Sequence, residues 1–232
     1  MSYHKSEKSV LMRPAYAVRV AHVHGIFPNS LYHAYGKRVL DLTVAVLLLP
    51  IAVPVVALAA LALWLSGVNP FYSQLRLGRN GQSFRLWKLR TMRPDADAVL
   101  EQILRADPAK RAEWDATQKL KDDPRVTRLG HLLRKTSLDE VPQFLNVLRG
   151  DMSLLGPRPI MLNQRSLYGP TLPVYTAMRP GISGLWQVTE RNDAEFSRRA
   201  EIDIAYARGL GLRSDLRLIW QTIRTVLRST GF

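Results

Sequence analysis

LTVAVLLLPIAVPVVALAALALWL, from Leu42 to Leu65, carries no charged residue, and none follows until Arg76. Its 24 residues exceed the roughly 20 that cross a hydrocarbon core as a helix. A buried core helix of a soluble protein is shorter than this, so the stretch reads as a membrane element. Pro50 and Pro54 sit near its middle, where each removes an intrahelical bond and bends the axis. Lys37 and Arg38 stand at the front edge, with Arg13 and Arg19 further back. Arg76, Arg79, Arg85, Lys88 and Arg90 follow the far edge. Basic residues prefer the cytoplasmic side, so both flanks point to the same face. The expectation is a re-entrant helical hairpin over residues 37–70, bent at Pro54 and Pro50. The alternative is a kinked single span, with its flanks on opposite faces.

Residues 1–36 mix Ser, His, Lys, Arg, Pro and Tyr without sustained periodicity and are expected to be an N-terminal extension. No apolar run ending in small residues follows Met1, so the extension does not read as a secretory signal. Downstream, residues 71–232 are expected to form one domain on the same side as the flanks. Gly78-Arg79-Asn80-Gly81 is a turn signal between alternating segments, which predicts a small β element over residues 71–92. On its return strand Lys88 and Arg90 are candidates for phosphate contacts or for headgroup snorkelling. Residues 95–120 read as two solvated helices separated at Asp107-Pro108.

The balance of 33 Lys+Arg against 19 Asp+Glu gives a net charge of +14. Such a surface favours polyanions: nucleic acid, an anionic bilayer or phosphorylated small molecules. With no cysteine, disulfides, thiolate catalysis and Cys-based metal sites are excluded. The histidines before residue 34 lack metalloprotease spacing.

The chemistry concentrates in Arg134–Pro159, RKTSLDEVPQFLNVLRGDMSLLGPRP. Ser137 and Glu140 have capping-box spacing, and Val141, Phe144, Leu145 and Leu148 follow at helical spacing. An ordinary capped core helix therefore accounts for much of it. A cap needs only one carboxylate, however, and Asp139 and Glu140 stand side by side between Arg134-Lys135 and Arg158. Adjacent carboxylates with fixed arginines suit metal-assisted phosphoryl chemistry: one oxygen attacks or positions, another holds a hard cation, and Arg forks neutralise phosphate. Further on, Met178–Val188 is Gly-rich, with Arg179 and then Arg191 beside it. A turn of this kind can cradle phosphate, although the pattern alone is weakly specific. The segment Ser214–Ser229 places Leu216, Ile219, Trp220, Ile223, Val226 and Leu227 on one face, as an interfacial helix does. A core-packing helix has the same pattern.

These residues resemble the bacterial sugar transferase family, the monotopic phosphoglycosyl transferases that begin surface-glycan assembly on a polyprenol carrier. The motifs occur in the family's order from about Lys37 to Phe232. They are Asp41-Leu42, Trp87-Lys88-Leu89-Arg90-Thr91-Met92, Arg134 to Glu140, Gly150-Asp151-Met152-Ser153, Gly156-Pro157-Arg158-Pro159 and Arg179-Pro180-Gly181. The resemblance implies an α+β, mainly helical monotopic membrane protein. It would have a re-entrant hairpin, a small β element and interfacial amphipathic helices around a cytoplasmic catalytic core, residues 71–232, at the bacterial inner membrane. By similarity, Asp139 is the nucleophile that takes a phosphosugar from a UDP-sugar and releases UMP. Glu140, with Asp139, holds Mg²⁺ or assists proton transfer, and undecaprenyl phosphate then accepts the phosphosugar. Lys88, Arg134, Arg158 and Arg191 fall on family positions associated with phosphate, and Pro54 on the bending proline. Val53 and Glu190 depart from the family's usual Ser and Gly. The wording Gly184-Leu185-Trp186-Gln187-Val188 is similar to members that transfer galactose or glucose phosphate rather than N-acetylated sugars.

Partners implied are the UDP-sugar, undecaprenyl phosphate and anionic inner-leaflet lipids; a homodimer is compatible with the sequence. Two rivals remain open. One is a membrane-anchored polyanion binder, although the charge flanks the hairpin and the carboxylates and no aromatic-plus-basic RNA motif is present, so nucleic acid is not expected. The other is an inactive scaffold of the same fold.

Overall fold

The computed structural model describes residues 26–27, 31–118, 120–190 and 196–227. Most of the extension expected over residues 1–36, and Arg191, lie outside them. The fold is mostly helical, with two small sheets and one long apolar helix.

That helix, α1, is Lys37–Leu65, entered through a π-helical turn at Tyr32–Gly36. It stays helical through both Pro50 and Pro54, so the expected break into two helices is corrected to one continuous element. Leu42–Leu65 contains no Gly, Asn or Ser to turn the chain. An opened turn would also leave backbone polar groups facing apolar surroundings. The prolines are four residues apart, so the two carbonyls they leave unbonded, of Val46 and Pro50, fall on one face.

The first turns of α1 are locked to the body. Lys37 Nζ lies 2.8 Å from Asp215 Oδ2, in a buried pair that Tyr32 and Tyr206 complete by donating their hydroxyls to the same carboxylate. Asp41 accepts from the Ser153 hydroxyl and the Leu154 N–H, both at 2.9 Å. Arg38 donates to the carbonyls of Val147 and Leu148. Leu40, Val44 and Ala45 enter the main core with Phe84, Leu86 and Val147. At its other end α1 packs Val56, Ala59, Ala60 and Leu63 against Leu89 and Leu133. Between these contacts, Val46, Leu47, Ile51, Val53 and Leu58 are exposed. Both ends of a 29-residue helix therefore rest on one body, and on one strand of it, while the middle stands clear.

That strand is β2 (Ser83–Leu89), antiparallel to β1 (Phe71–Leu77), with Phe71 opposite Leu89 and Leu77 opposite Ser83. The turn falls where Gly78–Gly81 predicted it, with Asn80 (φ 57°) and Gly81 (φ 74°) left-handed. Helices α2 (Ala96–Ala106) and α3 (Pro108–Thr117) divide at Asp107, whose carboxylate accepts from the Ala109 and Lys110 N–H groups. In α4 (Arg128–Lys135), Thr127 caps the N-terminus and Gly130 lies against the Thr91 backbone. A 3₁₀ turn (Leu138–Gln143) leads into α5 (Phe144–Arg149).

Sequence periodicity did not reveal the second sheet. Strands β3 (Ser153–Leu155) and β4 (Gly181–Ser183) pair in parallel and are too short to show alternation. Gly156, Gly181 and Gly184 crowd there backbone to backbone, where a Cβ on any of them meets main-chain atoms. The Gly-rich segment thus has a packing reason of its own. Residues Leu162–Thr171 form 3₁₀ turns, followed by α6 (Leu172–Ala177), α7 (Leu185–Thr189), α8 (Phe196–Arg208) and α9 (Leu212–Leu227).

Helix α9 has two apolar sides. Leu218 is buried and Ile219 packs on the core, while Leu212, Leu216, Trp220, Ile223 and Val226 are exposed at three- and four-residue spacing. Leu216 and Ile219, read from sequence as one face, divide between the two.

Candidate active site

Asp139 and Glu140 lie in the 3₁₀ turn that packs on β2. Ser137, immediately before the turn, is left-handed (φ 57°, ψ 18°), an unusual state for a residue with a side chain. It makes no side-chain cap, so the capping box read from its spacing does not form. Glu140 turns instead to Lys88, whose ammonium donates to Glu140 Oε1 at 2.8 Å and stands 3.5 Å from Asp139 Oδ2. Arg158 comes within 3.8 Å of Glu140 Oε1. Local strain at Ser137 is thus maintained by a cluster of charges, an arrangement common at functional sites.

Asp139 is only 7 % exposed. Burial pushes its carboxyl above the usual range; Lys88 opposes the shift, Glu140 adds to it and Arg134 opposes it. Arg134, in the last turn of α4, donates to the Thr91 hydroxyl at 3.0 Å. Its guanidinium is depressed by burial and supported by the charges of Asp139 and Asp123. Asp139, Glu140, Lys88, Arg134 and Arg158 therefore form one site.

The frame beneath it was not visible in the motifs. Asn146, fully buried in α5, donates to the Arg85 carbonyl (2.7 Å) and Asp151 (3.1 Å) and accepts from the Trp87 N–H (3.1 Å). It ties the strand carrying Lys88 to the helix that follows Asp139. Arg158 is placed by the same logic: Ile160 O accepts from Leu77 N, while Tyr175 OH donates to Leu77 O and accepts from Ile160 N. These bonds fasten the Pro-Arg-Pro turn to β1. A polar residue inside an apolar helix is the signal that marks Asn146 in the sequence.

Two predicted residues lie elsewhere. Arg90 follows the end of β2, donates to the carbonyls of Asn69 and Phe71, and sits 5.7 Å over the Tyr72 ring. Arg179 donates to the Gly150 carbonyl at 2.9 Å; burial and then the charges of Arg79 and Arg38 depress it. Both brace the backbone. Glu190 pairs with Arg198 at 3.2 Å.

Among the described residues no three metal-ligating side chains gather. The Asp139–Glu140 pair fits a hard cation that takes one or two protein carboxylates and completes its shell from substrate phosphate and water.

The long apolar helix and the cation-ringed pair of Asp139 and Glu140 belong to one body, and the helix marks a membrane-associated protein. Residues 32–229 match the model of the bacterial sugar transferases, and the chain belongs to that family. It is 42 % identical over 197 residues to the exopolysaccharide production protein ExoY of Sinorhizobium fredii, covering 84 % of this chain and 87 % of that one. It is 42 % identical over 195 residues to the UDP-galactose-lipid carrier transferase of Erwinia amylovora, covering 84 % of this chain but only 41 % of the relative. A third relative is the UDP-glucose:undecaprenyl-phosphate glucose-1-phosphate transferase of Caulobacter vibrioides, 39 % identical over 200 residues, with 82 % of this chain and 69 % of that one covered.

Proposed function

We propose that the protein transfers a hexose 1-phosphate, galactose or glucose, from a UDP-sugar to undecaprenyl phosphate, releasing UMP, as an opening membrane step of exopolysaccharide synthesis. The observation that carries this is the buried Asp139 beside Glu140, with Lys88, Arg134 and Arg158 around them. Family membership and the names of the relatives supply the substrate classes.

An ionised Asp139 oxygen attacks the phosphorus bearing the sugar. The phosphorus–oxygen bond to the nucleotide breaks, and its electron pair leaves with UMP. A phosphate oxygen of undecaprenyl phosphate then attacks the same phosphorus, freeing Asp139 and forming the polyprenyl diphosphate sugar. Covalent catalysis divides one transfer into two in-line displacements. Lys88 keeps Asp139 ionised, while Arg134 and Arg158 offset charge on the transferring group. Glu140 and Asp139 would hold Mg²⁺ against the donor's phosphates, where it would neutralise developing charge.

Packing supports a re-entrant membrane arrangement, bent at the two prolines. Both ends of α1 rest on the body that carries the site, and its exposed middle enters the cytoplasmic leaflet and returns. Exposed Leu216, Trp220 and Ile223 of α9, with Arg217 and Arg224 beside them, lie on the same anionic leaflet. Cysteines at Ser6 and Ser83 should therefore label from one side only; labelling from opposite sides would establish a span.

The central test is UMP release from a panel of UDP-sugars with Mg²⁺, with and without undecaprenyl phosphate, for wild type and Asp139→Asn. Release that the lipid stimulates and the variant loses is expected. No release from any donor by folded, membrane-bound protein overturns the reading.

A further inference from the structure

Beside the carboxylates, Arg158 meets two further arginines, Arg76 and Arg199, that have no task in the chemistry above. Arg158, fixed between Pro157 and Pro159, has its guanidinium 5.9 Å from the Trp186 ring centre; Arg199 of α8 has its own at 4.4 Å from the same ring. Trp186 is 3 % exposed and Arg199 8 %, so both are buried, while the partly exposed Arg158 side chain opens the group to solvent. Arg76 of β1 completes the group. Among the described residues its guanidinium reaches only neutral partners, the Gln74 side-chain oxygen at 2.7 Å and the Pro159 carbonyl at 3.4 Å. Its Nε is buried and makes no hydrogen bond.

Like charges brought together out of water repel one another, and an anion between them relieves that cost. The repulsion registers on both flanking residues. Arg76 is lowered to about 10, first by burial and next by Arg158; Arg199 is lowered by burial and then by Arg158. Asp203, whose charge supports Arg199, is itself raised to about 7 by burial. Arginine forks on three different elements suit the several oxygens of one phosphate better than a single carboxylate. Arg158 also approaches Glu140, so a group held here adjoins the reacting carboxylates.

We infer that Arg76 and Arg199, with Arg158 shared from the reacting site, form a clamp over Trp186 for a phosphate monoester adjoining the phosphoryl group under attack. Arg76 and Arg199 are its positioning residues. The inference rests on the phosphosugar-transfer reading, under which two such groups arise: the phosphate of departing UMP and that of the lipid acceptor.

The test uses the full chain in nanodiscs and measures binding of UMP, uridine, farnesyl phosphate and farnesol to wild type, Arg76→Gln and Arg199→Gln. Each lost charged contact should weaken a phosphate-bearing ligand roughly tenfold to a hundredfold and leave its phosphate-free counterpart unchanged. Weakening confined to UMP assigns the clamp to the leaving group, and weakening confined to farnesyl phosphate assigns it to the acceptor. Equal affinities for both phosphates in folded variants overturn the inference, as does equal weakening of phosphorylated and phosphate-free ligands. Should the Gln variants fail to fold, wild type decides: either phosphate, but not uridine or farnesol, must slow phenylglyoxal modification of half-buried Arg76. Wild type that turns over sugar nucleotide with the clamp untouched would sink the clamp alone. Clamp binding without UMP release from any donor would sink the transferase reading alone.

Discussion

Replacing Lys88 with Met isolates what the ammonium does for Asp139. At 3.5 Å and an effective dielectric near 20, one charge pair is worth about 5 kcal/mol. That is a ceiling, because Lys88 is 22 % exposed and lies closer to Glu140, at 2.8 Å, so part of its field offsets the second carboxylate. An attenuated coupling of about 1.5–3 kcal/mol corresponds to roughly 1–2 pH units. Removing Lys88 also leaves two adjacent carboxylates without their shared cation, which favours protonation of the more buried one. Because Asp139 must be ionised to attack, the acid limb of kcat/KM should move to higher pH by at least about one unit. Glu140→Gln should move it the other way, since Glu140 raises Asp139. The assay is UMP release from a saturable range of UDP-sugar between pH 5 and 9. A uniform loss of kcat/KM at every pH, with the acid limb in place, would refute the role given to Lys88 and make it a substrate contact only.

Three further outcomes follow from the frame. Asn146→Ala leaves the Trp87 N–H and Arg85 C=O without their partner in a partly buried place, at a cost of about 1–3 kcal/mol; thermal unfolding should shift down and UMP release should fall with it. Asp203 accepts from the Tyr168 hydroxyl and titrates at about 7 against an ordinary 3.8. The folded state then holds an extra proton between those values, so stability falls as pH rises from about 4 to about 7, by at most about 4 kcal/mol; unfolding midpoints of Asp203→Asn should be flatter over that window. In Gly181→Ala the new methyl meets the backbone of Gly156, Ser183 and Leu155, with no rotamer to relieve it. The β3–β4 contact should open and the protein lose at least about 3 kcal/mol, whereas Gly67→Ala, with open space around a left-handed backbone, should lose only about 1 kcal/mol; melting curves of the pair decide.

The same-side orientation of the two flanks was inferred from basic residues, yet several of those residues have internal partners. Lys37 is buried against Asp215, Arg38 binds the end of α5, Arg76 faces Arg158 and Lys88 holds the carboxylates. A charge count treats each as a solvated topological marker; in the fold these four act as ligands. The contacts of Ala45 and Leu63 with a shared body bear on the proposed orientation more directly, but such long-range contacts leave no period in a sequence. Legibility followed range. Elements specified within a few residues, such as the Asn80-Gly81 turn and the Asp107-Pro108 junction, appeared where expected. The apolar element also lies where its composition places it, but as one helix and not two. Ser137 shows the limit: its spacing to Glu140 matches a local cap, but Lys88, distant in sequence and 2.8 Å away in space, takes the carboxylate instead. A pair of carboxylates that forgo the cheaper local bond for a distant cation is more specific to function than the adjacency that first drew notice to them.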